Sequence, residues 1–430
     1  MNAPMQRGRA ARFLARRIGI LVFISAAGWV TVQGCDRPAR ENEADSAVLL
    51  RKLTRATTTD ERIAALDAFS TVRPAMSRSD APNPVPALRA FLTSEDPIVA
   101  VKAGELLALW DDHDAIPGLV GLLRQPDPMV RLSAVVSLTK LRDAQARGAL
   151  LNAAKDVNGT VRAQACTALG LLQPHDAATA ATLGERLGDP DAAVRAAATT
   201  ALAEAGSRSD VPSLISLLND SDPGVASAAA QALGTIADRR AVAPLLALLD
   251  TGTAEIRCAA ASALGYLGDP VAVEPLARQL ADPHPQLRIA ALDALSFLGD
   301  GAALSGVLAV AADSSPKIQD RVPYVLGRLY VPRDWDIFLA HIQGPDAGVR
   351  AAVALALGLA YERRAVSALI HALDDPDQRV RESAAKALGL LGADEAIAPL
   401  QRLQQRDPAP RVRKAASDTL SVLLEAALYH

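Results

Sequence analysis

Apolar residues return every three or four positions through Val380, Ala384, Leu388 and Leu391, the spacing of one helical face. Asp375-Pro376 precedes that run as a helix-start signal. An Asp side chain can cap free backbone N–H groups, and Pro suits a first turn, where its missing N–H is not needed. Gly392 closes this helix, and another opens at Ala396 and runs to Leu403. The same pattern recurs along the chain. Its anchor leucine stands at Leu107, Leu138, Leu169, Leu202, Leu233, Leu264, Leu295, Leu326, Leu357, Leu388 and Leu420, in steps of 31, 31, 33, six of 31, and 32. Eight residues before each anchor is an aliphatic residue, from Val99 and Val130 through Ile256, Leu287 and Ile318 to Val380 and Val412. A register held over so much chain marks a repeat architecture. A helix pair this short cannot bury its apolar side alone and must stack on its neighbours.

Each repeat holds a first helix such as Ala115–Leu123 or Ala241–Leu249 and a second helix such as Met129–Leu138. The expected fold is an all-α solenoid of about eleven to twelve antiparallel helix pairs of ~31 residues. The expected domains are a leader over 1–34, a flexible tether over 35–46, a degenerate helix pair and Pro-rich loop over 47–84, and the regular array over 85–430. Small residues follow many anchors (Gly170, Gly234, Gly265, Gly327, Gly358, Gly389) and would let neighbouring helices approach closely.

The stretch Asp375–Gly392, D-P-D-Q-R-V-R-E-S-A-A-K-A-L-G-L-L-G, resembles HEAT repeats, in particular the short HEAT-like type of the phycobilisome lyases. Asp127–Leu138 and Asp282–Gly299 resemble it nearly as well. The resemblance implies that the second helices line the concave side. It is specific for fold and nearly silent on activity, because such solenoids serve many functions.

Composition narrows the picture. Aromatics are only 3% of the chain, which suits closely packed short helices. Net charge is −3, but residues 1–34 hold five Arg and no acid. Beyond them 40 Lys and Arg face 48 Asp and Glu, a balance of −8, which gives no support for a nucleic-acid partner. The five Arg precede an apolar run, Ile18–Val32. That run is short for a membrane span of about 20 residues and has the length of a signal-peptide core. It ends Val32-Gln33-Gly34-Cys35, which resembles a bacterial lipobox with Gln33 in place of the usual small residue. The resemblance implies a lipid on Cys35, a signal peptide over 1–34, and a membrane-anchored location in the cell envelope.

Candidate chemistry is sparse. The sequence has no H-E-x-x-H, no Cys-x-x-Cys and no phosphate-binding Gly-rich loop. Cys166 and Cys258 are three repeats apart, roughly 30 Å by helix stacking, whereas a disulfide needs Cα atoms within about 7 Å. No cofactor, metal or catalytic residue is assigned. Two features stand out. Arg131, Arg162, Arg195, Arg257, Arg288, Arg350, Arg381 and Arg413 share one register near the helix-opening Asp. They read as a structural ladder of Arg–Asp contacts, with an anionic-ligand stripe as the alternative.

The second feature is an irregular repeat over 313–336. Gln319 replaces the register Arg there, and Pro323 stands where it should kink the second helix or delay its start. Tyr330 and Tyr361 take the helix-ending place held elsewhere by Gly206, Gly268, Gly299 and Gly392. Tyr324, Tyr330, Arg333, Trp335, Tyr361 and Arg363 form the candidate contact patch, because Tyr, Trp and Arg are the usual interface anchors. The alternative is a distorted repeat whose aromatics fill the distortion. The functional expectation is a membrane-anchored scaffold for a protein or peptide partner. A lyase-like cofactor binder and a purely structural envelope protein are the rivals.

Overall fold

The computed structural model describes residues 48–71, 83–206 and 208–427. Cys35, the leader, the tether and most of the Pro-rich loop therefore lie outside the described residues. Those described form helices, 3₁₀ turns and connecting loops, with no strand among them. A leading pair, 48–55 and Thr59–Phe69, comes first. The array then alternates short first helices, from Val85–Phe91 to Ile397–Arg406, with longer second helices, from Pro97–Leu109 to Pro410–Ala427. From the second repeat of this array onward, a single 3₁₀ turn opens most first helices, as at His113–Ala115 and Asp394–Ala396.

Every anchor leucine is buried: Leu107, Leu138, Leu169, Leu202, Leu233, Leu264, Leu295, Leu326, Leu357 and Leu388 show no exposed surface, and Leu420 is 4% exposed. They belong to one continuous core running the length of the array, as expected when each pair covers its apolar side with the next.

The small residues after the anchors set the spacing of the second helices. A Cβ on Gly170, Gly234, Gly265 or Gly358 would lie 2.5–2.8 Å from the Cα of Ala201, Ala263, Ala294 or Ala387 of the next second helix. In the first-helix layer, Gly118 and Gly306 instead meet the side chains of Leu92 and Leu280 first. At these four boundaries the second helices thus approach backbone to backbone.

Three local expectations change. Asp375 is not the helix cap. That role falls to Asp377, whose side chain accepts from the Arg379 N–H, because the helix starts two residues later than the Asp-Pro pair suggested. Pro323 does not delay its helix, which runs from Pro316 to Leu329 in the register of its neighbours. Tyr361 ends its helix in the left-handed conformation of the cap glycines, at φ +55, but Tyr330 leaves in an extended one (φ −63, ψ 130). Pro332 excludes helical geometry at Val331, and the chain straightens before it.

Candidate functional site

The register arginines form the ladder, and their partners lie one repeat further on. Arg131 bonds both carboxylate oxygens of Asp156 at 2.7 and 2.8 Å, and Arg195 those of Asp220 at 2.8 and 2.6 Å. Arg162–Asp189, Arg257–Asp282, Arg288–Asp313, Arg350–Asp375 and Arg381–Asp407 repeat the pairing. Most of these guanidiniums also donate to two carbonyls of their own opening loop, as Arg381 does to Asp375 and Pro376. Each rung thus ties one loop to the next. Arg413, in the final second helix, keeps its two carbonyl bonds to Asp407 and Pro408.

The sequence carried a signal for this pairing that the register alone did not expose. Where the Arg is missing, at Ala100, Ala226 and Gln319, the residue 25 places on is Gln125, Thr251 or Gly344 rather than Asp. Arg and Asp come and go together, as expected when a lone buried carboxylate would be costly.

Several rungs predict a loss of stability in acid. The Arg131 hydrogen bond holds the Asp156 carboxyl below its ordinary value, and Arg195 does the same for Asp220. At Asp189, Asp313 and Asp407 burial by itself would raise the value, but the guanidinium and a loop N–H more than reverse it. A depressed folded-state pKa stabilises the fold above the unfolded value, about pH 4, and that contribution fades as pH falls through the folded value. The urea midpoint is therefore expected to hold from neutrality to about pH 5 and to fall steeply below about pH 4. A midpoint unchanged at pH 3 would show that the rungs do not contribute.

The candidate patch divides into three settings. Tyr330 and Trp335 sit in a staple between repeats. The Tyr330 hydroxyl donates to Glu362, and Arg364 bonds Glu362 at 2.8 Å, the Tyr330 oxygen at 3.0 Å and the Pro332 carbonyl at 3.1 Å. The Arg364 guanidinium lies 5.0 Å over the Trp335 ring, and the Tyr330 ring meets Phe338 edge-on. Arg364 above all holds the Glu362 carboxyl down at about 2, while burial first and Glu362 second push the Tyr330 phenol up to about 12. Tyr361 and Arg333 stand on the loop edge, 65% and 85% exposed, and Arg363 on the same edge donates to the Leu391 carbonyl. Tyr324, 47% exposed, belongs to the second-helix face.

That face holds two aromatics that composition and register did not single out. Tyr266 and Phe297 are 57% and 55% exposed, and their ring centroids are 5.3 Å apart. Each stands two residues after its anchor, Leu264 or Leu295, and Arg328 takes the same place after Leu326. A search for aromatics confined to one repeat misses them, whereas an alignment of the repeats on the anchors would have shown the column.

The first-helix face bears an open groove of about 490 Å³ between Leu304–Ala309 and Trp335–Ile342, lined by Leu304, Leu308, Ile337, His341 and Val349 among others. Its walls are mostly aliphatic. His341 and His371 each bond a carbonyl of their own helix at 2.7 Å. In the Asp111–Asp114 loop, Asp112 takes Arg89 and His113 takes Asp143. Among the described residues no group of three His, Cys, Asp or Glu could hold a metal ion, and no helix is long and apolar enough to cross a membrane. Cys166 and Cys258 are free thiols, and burial pushes Cys166 up to about 12.

Stacked helix pairs joined by inter-repeat rungs define an α-solenoid. The model of HEAT repeats matches the chain at 85–170, 122–203, 179–257, 252–327 and 335–421. The chain belongs to the HEAT-repeat family. Among solved structures it is similar to Kap95p in a structure concerned with RanGDP (15% identity, TM-score 0.57, 89% of this chain and 62% of that one). It is also similar to importin beta (16%, 0.57, 90% and 64%) and to Kap121p bound to Pho4p (15%, 0.55, 90% and 50%). The chain thus spans less than two thirds of the length of each of these proteins, and the likeness is one of fold. No curated protein matches its sequence.

Proposed function

We propose that this protein is a binding scaffold of the short HEAT-like type, anchored to a bacterial cell-envelope membrane by a lipid on Cys35, that holds a protein or peptide partner on its second-helix face or loop edge. The observation that carries the reading is the run of exposed aromatics on successive second helices. Tyr266, Phe297 and Tyr324 all lie about half in solvent, although the chain has few aromatics to spend. Large exposed apolar side chains grouped on one face mark interaction surfaces in soluble proteins. Similar solved chains include one bound to Pho4p, which supports a protein as the class of partner. The Val32–Cys35 stretch after an apolar run supports the anchor and the location.

The test is affinity capture from envelope extracts, with palmitate labelling, of the full chain and its Cys35→Ser variant. The full chain is expected to take up label and retain one protein partner through a salt wash. The Cys35→Ser variant is expected to lose the label and keep its leader. Equal labelling of the two would refute the anchor, and failure of the labelled chain to hold any protein would refute the scaffold.

A further inference from the structure

We infer that the array carries a hinge at one boundary, between the repeat that ends in helix Pro316–Leu329 and the next, formed by Trp335–Ile342 and Ala347–Leu359. Four observations coincide there. Gln319 and Gly344 stand where other boundaries have their Arg and Asp, and Gln319 instead donates to the Asp313 carbonyl of its own loop at 2.6 Å. The boundaries on either side keep their rungs, Arg288–Asp313 and Arg350–Asp375. The second helices also meet less closely. A Cβ on Gly327 would lie 3.8 Å from the Ala356 Cα, against 2.5–2.8 Å at the four backbone-to-backbone boundaries. In the first-helix layer the groove of about 490 Å³ lies between the same two repeats. Finally, Pro323 removes the N–H that would bond the Gln319 carbonyl, which loosens the turn beside the missing rung.

The two other boundaries without a rung are closed in other ways. At Ala100 and Gln125, Arg89 takes Asp112 and Asp114 of the next repeat, and Ser133 donates to Glu105 at 3.2 Å. At Ala226 and Thr251, Gly234 keeps the second helices in backbone contact. The hinge has a pin as well as a gap. At the opposite edge of its boundary the Tyr330 hydroxyl and Arg364 meet at Glu362, and Arg364 bonds the Pro332 carbonyl. This staple holds the loop edge while the rung edge is untied. At the rung edge Gly348 packs on the Ala311 carbonyl and the Ala312 Cα, 3.0 and 3.3 Å from the place of its absent Cβ. With no side chain there, the two surfaces can slide. The repeats after Leu329 thus swing about the staple, and the groove opens and closes with them. Closure covers Ile337, now 43% exposed, and that burial opposes full opening. A few residues at element ends that absorb the motion of two rigid bodies are the usual build of a hinge. Contacts within each body pass only between neighbouring repeats, so both bodies keep their shape. The inference stands on the fold alone and does not need the scaffold reading.

The experiment measures nitroxide pair distances by double electron–electron resonance on the full chain in detergent, with Cys35→Ser and Cys258→Ala so that only buried Cys166 remains beside the labels. Ala281, Ala312, Gln343 and Asp374 are exposed and stand 31 places apart at the ends of successive first helices. Labels on Ala312→Cys and Gln343→Cys span the hinge at its rung edge. Labels on Ala281→Cys with Ala312→Cys, and on Gln343→Cys with Asp374→Cys, span the boundaries before and after it. The hinge pair is expected to show a distance distribution about twice as wide as the two flanking pairs. Labels on Ala302→Cys and Arg333→Cys, at the stapled edge of the same boundary, should stay as narrow as the flanking pairs. Restoring the rung with Gln319→Arg and Gly344→Asp is expected to narrow the hinge pair to the width of its neighbours. The inference is overturned if the hinge pair is as narrow as the flanking pairs, or if the stapled edge is as wide as the rung edge. It is also overturned if the restored rung, in a chain with parental circular dichroism, leaves the width unchanged. The parent comparison decides the matter by itself where the restored variant does not fold.

Discussion

Gly358→Val is expected to split the unfolding of the array into two steps. A Cβ at this position would lie 2.5 Å from the Ala387 Cα, 2.7 Å from its Cβ and 3.1 Å from its carbonyl oxygen. All three belong to the next second helix, and two are backbone atoms. No rotamer change relieves such a clash, so the two helices must move apart. Overpacking of this kind costs about 3 kcal/mol or more when backbone has to shift. In a stack of repeats the penalty falls on a single interface, so coupling across it weakens while each side keeps its own contacts. Buried Trp110 reports the N-terminal side. Its fluorescence and the far-UV signal are expected to follow one urea transition in the parent and to separate in the variant. Gly268→Ala is the control. Gly268 also ends a second helix, but at φ +66 and with nothing within 4 Å of an added Cβ. It should lower stability by about 1 kcal/mol with a single transition. A coincident, unshifted transition for Gly358→Val would show that the close approach does not couple the repeats.

Breaking one rung of the ladder should cost more than removing it whole. Arg195 and Asp220 are 14% and 7% exposed, and two short hydrogen bonds join them across the repeat boundary. Arg195→Ala leaves Asp220 facing the boundary without its cation and also frees the Asp189 and Pro190 carbonyls. Loss of one partner from a mostly buried pair costs about 2–4 kcal/mol. The chain itself supplies the compensated version, since Ala226 and Thr251 occupy the same two places in the following rung. The double variant Arg195→Ala, Asp220→Thr is therefore expected to be more stable than the sum of the single losses predicts, by about 1–3 kcal/mol in a double-mutant cycle. Additive losses in urea would show that the two side chains do not act as a unit.

The ladder and the aromatic column differ in how they could be read. The arginine register was visible because it repeats within the helix, near Val130, Val161 and their counterparts. The choice of Asp partner was not, because it depends on how two loops 25 residues apart superpose. The joint absence of Arg and Asp at three rungs held that information, but only for a reader already pairing repeats. The grouping of Tyr330 and Trp335 with Tyr324 followed sequence proximity. In the fold the chain turns at Tyr330 and carries Trp335 onto the first-helix layer, where Arg364 and Glu362 tie both into the staple. Tyr324 stays behind on the second-helix face and gains Phe297 and Tyr266 as companions from earlier repeats.

The sequence by itself determined the repeat length, the helix pairs, the buried anchors and the glycines that let second helices meet. Each of these follows from the period of apolar residues and from local backbone rules, which act within a few residues. Only the tertiary structure decided which side chains from different repeats share a surface and which Asp answers which Arg. Those depend on the stacking of one repeat on the next, and a side chain's neighbours across that boundary are set by how the helices pack, not by their distance along the chain.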